Sequence, residues 1–157
     1  MADTLFAVRR ADLRDPADLR DYLAMLGAYA RDSMGAGGPL ATDVTERLAC
    51  ELPTHPTLHA LLAVHAGGAV GFATCFVGYS TFRARPLLNI HDIAVLTEWR
   101  GRGIGTALLE TTENLARSLG CCAVTLEVRS DNPGAQTLYR RHGFAPATCS
   151  QFMEKAL

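Results

Sequence analysis

The chain has 157 residues, of which 48% are hydrophobic and 20% are charged, and its formal net charge is −1 at pH 7. This length suits one domain with a sizeable core, which we expect to span residues 1–157. The near-zero net charge excludes a strong electrostatic attraction to nucleic acid or to an anionic membrane surface, so we expect neither as a partner.

The five cysteines and the first residues indicate the compartment. The cysteine count is odd and no C-x-x-C spacing occurs, which favours free thiols over a disulfide framework or a zinc site. The first residues, Met1 to Thr4, lack the basic and apolar regions of a signal peptide. No apolar run approaches the ~18 residues of a membrane span. We therefore expect a cytoplasmic protein without a metal.

The first half of the chain predicts a strand, two helices and a β-hairpin. Asp15 is a good N-cap because Pro16 follows at the first helical position, and apolar residues then recur at helical spacing, with Tyr29 or Ala30 as the last of them. The predicted boundaries are, in chain order, a strand at 5–9, a helix from Pro16, a loop at 33–39, a helix capped by Thr42 or Asp43 and ending near Leu52, and strands at 58–66 and 69–77 joined by Gly67-Gly68.

The second half alternates strands and helices. A polar loop is predicted at 78–86, followed by a buried strand at 87–95, a helix from Ile104 to Leu119, a strand at 123–128, a helix that Asn132 opens and Gly143 closes, and a last antiparallel strand at 152–157. A hairpin section followed by a β-α-β unit predicts an α/β mixed sheet with helices on its faces.

The turn from Arg100 to Gly105 is the strongest sign of a ligand site. A glycine-rich turn that opens a helix presents unpaired N–H groups at the positive end of the helix dipole, which suits a phosphate or pyrophosphate. The dinucleotide fingerprint G-x-G-x-x-G fails because Thr106 stands where its third glycine belongs. The P-loop fails as well, because Lys155 is the chain's single lysine.

Two motifs resemble one family. Arg100, Gly103 and Gly105 form R-x-x-G-x-G, which is similar to the pyrophosphate motif of the GNAT superfamily of N-acetyltransferases, whose members bind acetyl-CoA. The run N-x-x-A-x-x-x-Y-x-x-x-G-F from Asn132 to Phe144 resembles the last helix of that family. The resemblance implies one N-acetyltransferase domain with a mixed, mostly antiparallel central sheet, a V-shaped splay between two parallel strands, and helices on both faces.

The resemblance also implies where acetyl-CoA binds. Backbone N–H groups of the turn would bind the pyrophosphate. The residues that supply them are Arg100, Gly101, Arg102, Gly103, Ile104, Gly105 and Thr106. The Arg100 side chain either contacts the ligand or pins the loop, and that of Arg102 either faces solvent or meets a ribose phosphate. Backbone groups of Ile93 and Val95 would bind the pantetheine arm, and an N–H near Ile93 or Ala94 would polarise the thioester carbonyl. Asn132 would contact the pantetheine amides and cap its helix.

Three side chains are candidates for the proton transfers. Tyr139 is expected to protonate the leaving sulfur, with a core tyrosine as the alternative. His91 and Asp92 are the titratable pair on the central strand, and strand alternation predicts that they face opposite sides of the sheet. A water chain is the alternative base. Diamine acetyltransferases of the superfamily carry an acidic residue near position 91, where this chain has His91, so the resemblance leaves the base and any polyamine specificity open.

The implied function is acetyl transfer from acetyl-CoA to a primary amine by direct attack in a ternary complex. The acceptor is a polyamine-like or amino-acid-like small molecule or a peptide, and we expect the loops Ser33–Pro39 and Gly78–Pro86 near it. The alternatives are a non-catalytic CoA-binding regulatory or partner-binding module and an acyltransferase that uses a longer acyl-CoA. The protein is a possible homodimer under each of these hypotheses.

Overall fold

The computed structural model describes residues 5–147 and 152–157. These ranges contain five strands and four α-helices. Their bounds are β1 Ala7–Ala11, α1 Pro16–Arg31, α2 Thr42–Glu51, β2 Leu58–His65, β3 Gly68–Ser80, β4 Arg85–Val95, α3 Ile104–Ser118, β5 Val124–Leu126 and α4 Pro133–Arg141. Among the helices of these ranges, none has the length and apolarity needed to cross a membrane.

The five strands form one sheet in the order β1-β2-β3-β4-β5. The first four pair antiparallel and β4 pairs parallel with β5, which confirms the predicted mixed, mostly antiparallel sheet. Neighbouring residues on one strand enter different cores: Ala73 packs with Leu108 of α3, whereas Phe72 packs with Tyr22 of α1. Helices therefore cover both faces, as predicted, because apolar residues on the central strands are buried on both sides.

The parallel pair β4–β5 is short. Pairing ends where Ile90 lies opposite Leu126, whereas β4 continues to Val95. Beyond Ile90, β4 and the segment that follows β5 separate, and residues from both line one cleft. This separation confirms the V-shaped splay, and it explains why the strand predicted at 123–128 is reduced to Val124–Leu126: the residues after Leu126 have no neighbouring backbone with which to pair.

The start of α1 is as predicted. The Asp15 side chain caps the helix by accepting from the Ala17 N–H at 2.7 Å. Asp18, in the first turn, is 8% exposed. Its carboxylate accepts hydrogen bonds from Nη2 and Nη1 of Arg9 at 2.6 and 2.8 Å, which ties α1 to β1. The predicted cap of α2 is wrong: Thr42 already belongs to the helix, the N-cap is Ala41, and no side chain bonds the free amides there.

Three further boundaries differ from the predictions. The β2–β3 turn lies at Ala66-Gly67, where φ is 47° and 83°, and a bulge beside Val64 absorbs the one-residue shift. Most of the predicted loop 78–86 is strand, because cross-strand pairing continues to Ser80 and Arg85. The predicted strand at 152–157 is not formed: these described residues are unpaired and exposed, and an apolar segment becomes a strand only when a neighbour supplies backbone partners.

Candidate active site

The splay opens into a cleft of about 620 Å³. Its walls come from the end of α1, the second half of β4, the turn before α3, the first turn of α3, the segment after β5 and the first two turns of α4. Of the predicted ligand-binding residues, those that line it are Ile93, Ala94, Val95, Arg100, Gly101, Gly103, Ile104, Gly105, Thr106, Asn132 and Tyr139. His91 also lines the cleft, whereas Arg102 and Asp92 do not.

One end of the cleft is an anion cradle. Gly101 and Gly103 have φ of 74° and 83°, and Gly103 is the N-cap of α3 without a side-chain cap. The first helical hydrogen bond runs from the Ala107 N–H to the Gly103 carbonyl at 3.0 Å. Within the described residues, the amides of 101–106 donate to no backbone carbonyl. Six neighbouring free donors at a helix N-terminus fit a diphosphate group.

The two motif glycines are needed for different reasons. A Cβ on Gly103 would meet nothing within 4 Å, so its positive φ is what requires glycine there. A Cβ on Gly105 would lie 3.0 Å from Cδ2 of Leu138, so Gly105 is what lets α4 pack closely on α3. Both glycines also line the cleft.

The two arginines of the turn have structural contacts. Arg100 donates from Nε to the Val95 carbonyl at 3.0 Å and from Nη2 to Asp32 at 2.6 Å, which pins the turn to β4 and to the end of α1. The Met34 N–H, and then Arg100, lower the pKa of Asp32. The Arg102 guanidinium lies 4.7 Å from the centre of the Trp99 ring, outside the cleft. The side chains therefore shape the turn, and its backbone amides are left for a ligand.

A β-bulge on β4 changes the expected geometry of the titratable pair. Thr74 lies opposite Asp92 and Cys75 lies opposite Ile90, so His91 is the extra residue. An extra residue interrupts strand alternation, and both side chains lie on the α1 face. The His91 ring packs 5.6 Å from that of Phe76, and Asp92 faces Thr74, whose hydroxyl lies 2.7 Å from that of Tyr22. The prediction of opposite faces is wrong.

The bulge also decides which backbone groups face the cleft. The Leu96 N–H donates to the Val70 carbonyl of β3 at 3.0 Å, and antiparallel pairing alternates, so Ala94 also bonds β3. The N–H and C=O groups of Ile93 and Val95 therefore point into the splay. Arg100 uses the Val95 carbonyl, which leaves both groups of Ile93 and the N–H of Val95 available for an extended ligand.

Burial shifts the titration of two side chains near the cleft. Asp92 is half-buried, and this burial raises its pKa, while the nearby His91 and the Thr74 hydroxyl act in the opposite direction. Tyr139 is 8% exposed, and burial raises its pKa to about 12. Its ring packs edge-on against Phe144 at 6.0 Å. The Tyr139 hydroxyl therefore keeps its proton at neutral pH, as a proton donor must.

Asn132 has the cap contact that was expected as one of its roles. Its Oδ1 accepts from the Ala135 N–H at 3.1 Å and so orients the first turn of α4 toward the cleft. The same contact holds the Asn132 side chain at the cleft wall, where its NH₂ group is a donor. One residue thus caps the helix and lines the site.

Several cleft residues were not identified from the sequence. Tyr29 and Asp32 enter from the end of α1, and Glu127 and Arg129 enter from the segment after β5. Tyr29 was assigned only to the apolar spacing of α1, and no local pattern marks the others. Of the two loops expected near an acceptor, Ser33–Pro39 contributes Met34, whereas no residue of 78–86 lines the cleft. Within the described ranges no group of three His, Cys, Asp or Glu side chains is placed to hold a metal.

Comparison with known proteins identifies the family to which this splayed sheet and its cleft belong. The chain belongs to the acetyltransferase (GNAT) family, whose model matches residues 25–144. It is 39% identical over 88 residues to N-alpha-acetyltransferase MAK3 of Arabidopsis thaliana, a match that covers 55% of this chain and 44% of that protein. The chain likewise spans less than half the length of two other curated relatives, at 35% and 40%.

Solved structures share the fold. An aminoglycoside acetyltransferase from an uncultured soil metagenomic sample, in complex with sisomicin, has a TM-score of 0.80 at 20% identity over 100% of both chains. AAC(6')-Iy, in complex with the bisubstrate analogue CoA-S-monomethyl-acetylneamine, has a TM-score of 0.79 at 18% identity over 98% of this chain and 99% of that one. At these identities the likeness concerns the fold alone.

Proposed function

We propose that this protein transfers an acetyl group from acetyl-CoA to a primary amine by direct attack in a ternary complex. The observation that carries the proposal is one cleft that joins the free amides of 101–106 to the backbone of Ile93 and the hydroxyl of the otherwise buried Tyr139. A diphosphate suits the amides, and an extended arm suits the unpaired edge of β4. Acetyl-CoA carries both groups and supplies the activated acyl carbon.

The residues then have separate tasks. The Ile93 N–H, which points into the splay, hydrogen-bonds the thioester oxygen as negative charge develops there. The amine nitrogen bonds to the acyl carbon, the carbon–sulfur bond breaks, and the Tyr139 hydroxyl gives its proton to the sulfur. A base near the β4 bulge takes the proton that the amine loses. No metal takes part in these steps.

His91 and Asp92 are the candidates for that base. They lie on the same face of the sheet, but only His91 of the two lines the cleft, so Asp92 would take the proton through His91 or a water. A carboxyl with a raised pKa is a stronger base than an ordinary one, which makes Asp92 better matched to neutral pH. We place this chemistry in a single domain over residues 1–157 that works in the cytoplasm.

A thioester-cleavage assay tests the proposal. Acetyl-, succinyl- and longer acyl-CoA donors are each combined with a panel of small amines, amino acids and peptides, and free thiol release is measured. We expect release that depends on both acetyl-CoA and an amine, with the acetylated amine as product. Coenzyme A binding without turnover on any amine would indicate a binding module instead, and a preference for longer donors would indicate a different acyltransferase.

The pH dependence of two variants tests the base. Because burial raises the pKa of Asp92 above its ordinary value of 3.8, the folded chain holds that proton more tightly than the unfolded chain. The carboxyl therefore costs stability as pH rises from 3.8 through the folded-state pKa. We expect Asp92→Asn to raise Tm at neutral pH and to leave it nearly unchanged below pH 3.8. Tm and kcat/KM are measured across pH.

The same series includes His91→Ala as the comparison. If Asp92 or His91 is the base, its variant loses kcat/KM, most strongly at low pH where few amine molecules are neutral. Unchanged pH–rate profiles in both variants would remove both residues from the proton path. A Tm that falls at neutral pH in Asp92→Asn and recovers as the pH is lowered would show that the carboxylate is bound in its charged form, the opposite of a raised pKa.

A further inference from the structure

The charged side chains of the cleft are unevenly paired. Arg100 and Asp32 lie 2.6 Å apart, and Arg129 meets Asp131 through two nitrogens, each at 2.8 Å. Because each arginine is paired with a carboxylate, neither pair adds much net charge to the cleft wall. Glu127 also lines the cleft, and within the described residues it has neither an ion-pair nor a hydrogen-bond partner. The cleft therefore has a carboxylate available for a cation.

The strand pairing places Glu127 beside the reacting centre. Asn89, opposite Phe76, donates from Nδ2 to the Thr125 hydroxyl at 3.1 Å, which puts Thr125 on the α1 face. Leu126, the last residue of β5, packs in the opposite core, and Glu127 follows it at the wall of the cleft. Because Ile90 is the last β4 residue paired with β5, Glu127 lies across the opening splay from His91.

His91, which lines the cleft together with Glu127, belongs to a row of rings on the α1 face. The Phe76 ring lies 5.2 Å from that of His55 and 5.6 Å from that of His91, both edge-on. Helix α1 packs against Phe72 farther along β3, so Phe76 is only partly covered and His91 is exposed. Of these three rings that of His91 lines the cleft, so an imidazole ring and a carboxylate share its wall, and this pairing favours an organic cation over a neutral or anionic group.

We propose that Glu127 binds a second cationic group of the acceptor, so that the preferred acceptors are small diamines or polyamine-like compounds. This inference rests on the proposed function, because one amine must reach the acyl carbon beside Ile93 while the other meets Glu127. Neighbouring strands lie about 5 Å apart and the splay widens that gap. A chain of three to five methylenes between two amines spans it.

The inference is tested by binding, with turnover as a second readout. Affinities of 1,4-diaminobutane and of butylamine, which lacks the second charge, are measured by calorimetry with and without saturating coenzyme A. We expect the diamine to bind about tenfold more tightly, and Glu127→Gln to remove that preference while leaving butylamine unaffected. Glu110→Gln is the matched control, because Glu110 is exposed on α3 and lies outside the cleft.

The outcomes separate this inference from the proposed function. Equal affinity for diamine and monoamine, or a preference that survives Glu127→Gln, would overturn the role of Glu127 even if amines are acetylated. An equal loss of affinity for the diamine and for butylamine in Glu127→Gln would also overturn it, because the substitution would then disturb the whole site. A Glu127-dependent preference without acetyl transfer would support the binding site and contradict the proposed reaction.

Discussion

Tyr139→Phe is expected to lower kcat about 10²-fold while the affinity for coenzyme A stays nearly unchanged. The substitution keeps the ring that packs on Phe144 and removes only the hydroxyl. Burial raises the pKa of Tyr139 to about 12, so the wild-type hydroxyl is protonated at neutral pH and can give its proton to the leaving sulfur. Steady-state kinetics and coenzyme A titration measure the two quantities on one preparation.

Tyr79→Phe is the matched control for this loss. Tyr79 is 63% exposed on β3 and does not line the cleft, so the same chemical change there should leave kcat unaltered. Single-turnover measurements establish that the chemical step limits kcat in the wild type. A wild-type rate in Tyr139→Phe under that condition would exclude Tyr139 as the acid and assign its hydroxyl to packing.

Gly103→Asp is expected to abolish the thermal shift that coenzyme A produces. The φ of 83° strains any side chain at this position, and the carboxylate would stand beside six free amides that suit an anion. A ligand that binds only the folded chain raises its Tm, so loss of the shift reports loss of binding. Thermal denaturation with increasing coenzyme A gives the result without requiring turnover.

Gly67→Asp separates strain from ligand binding. Gly67 has the same φ of 83°, and a Cβ added to either glycine would meet nothing within 4 Å. Gly67 differs in lying in the β2–β3 turn, away from the cleft. Both variants should lose about 1–2 kcal/mol of unfolding free energy through backbone strain. Only Gly103→Asp should also lose the response to coenzyme A. A full shift in that variant would place the diphosphate elsewhere.

The sequence alone was sufficient to predict features that depend on residues adjacent along the chain. Asp15 and Pro16 start α1 because capping and the fixed φ of proline act within one turn. Gly103 and Gly143 mark positive φ at the ends of α3 and α4, a requirement of the local backbone. The R-x-x-G-x-G turn and the motif from Asn132 to Phe144 are local patterns as well, and they were enough to predict the family, which the matched family model confirms.

Long-range contacts determined what the sequence did not show. The bulge at His91 exists only in the register between β3 and β4, and it alone places His91 and Asp92 on one face and turns Ile93 toward the cleft. Arg100 is held by Asp32, 68 residues away, and Glu127 meets the site because β5 stops pairing at Leu126. The strand predicted at 152–157 is not formed, because a strand also needs a partner's backbone. A local pattern specifies which face a residue prefers, and only the folded sheet decides which groups meet across it.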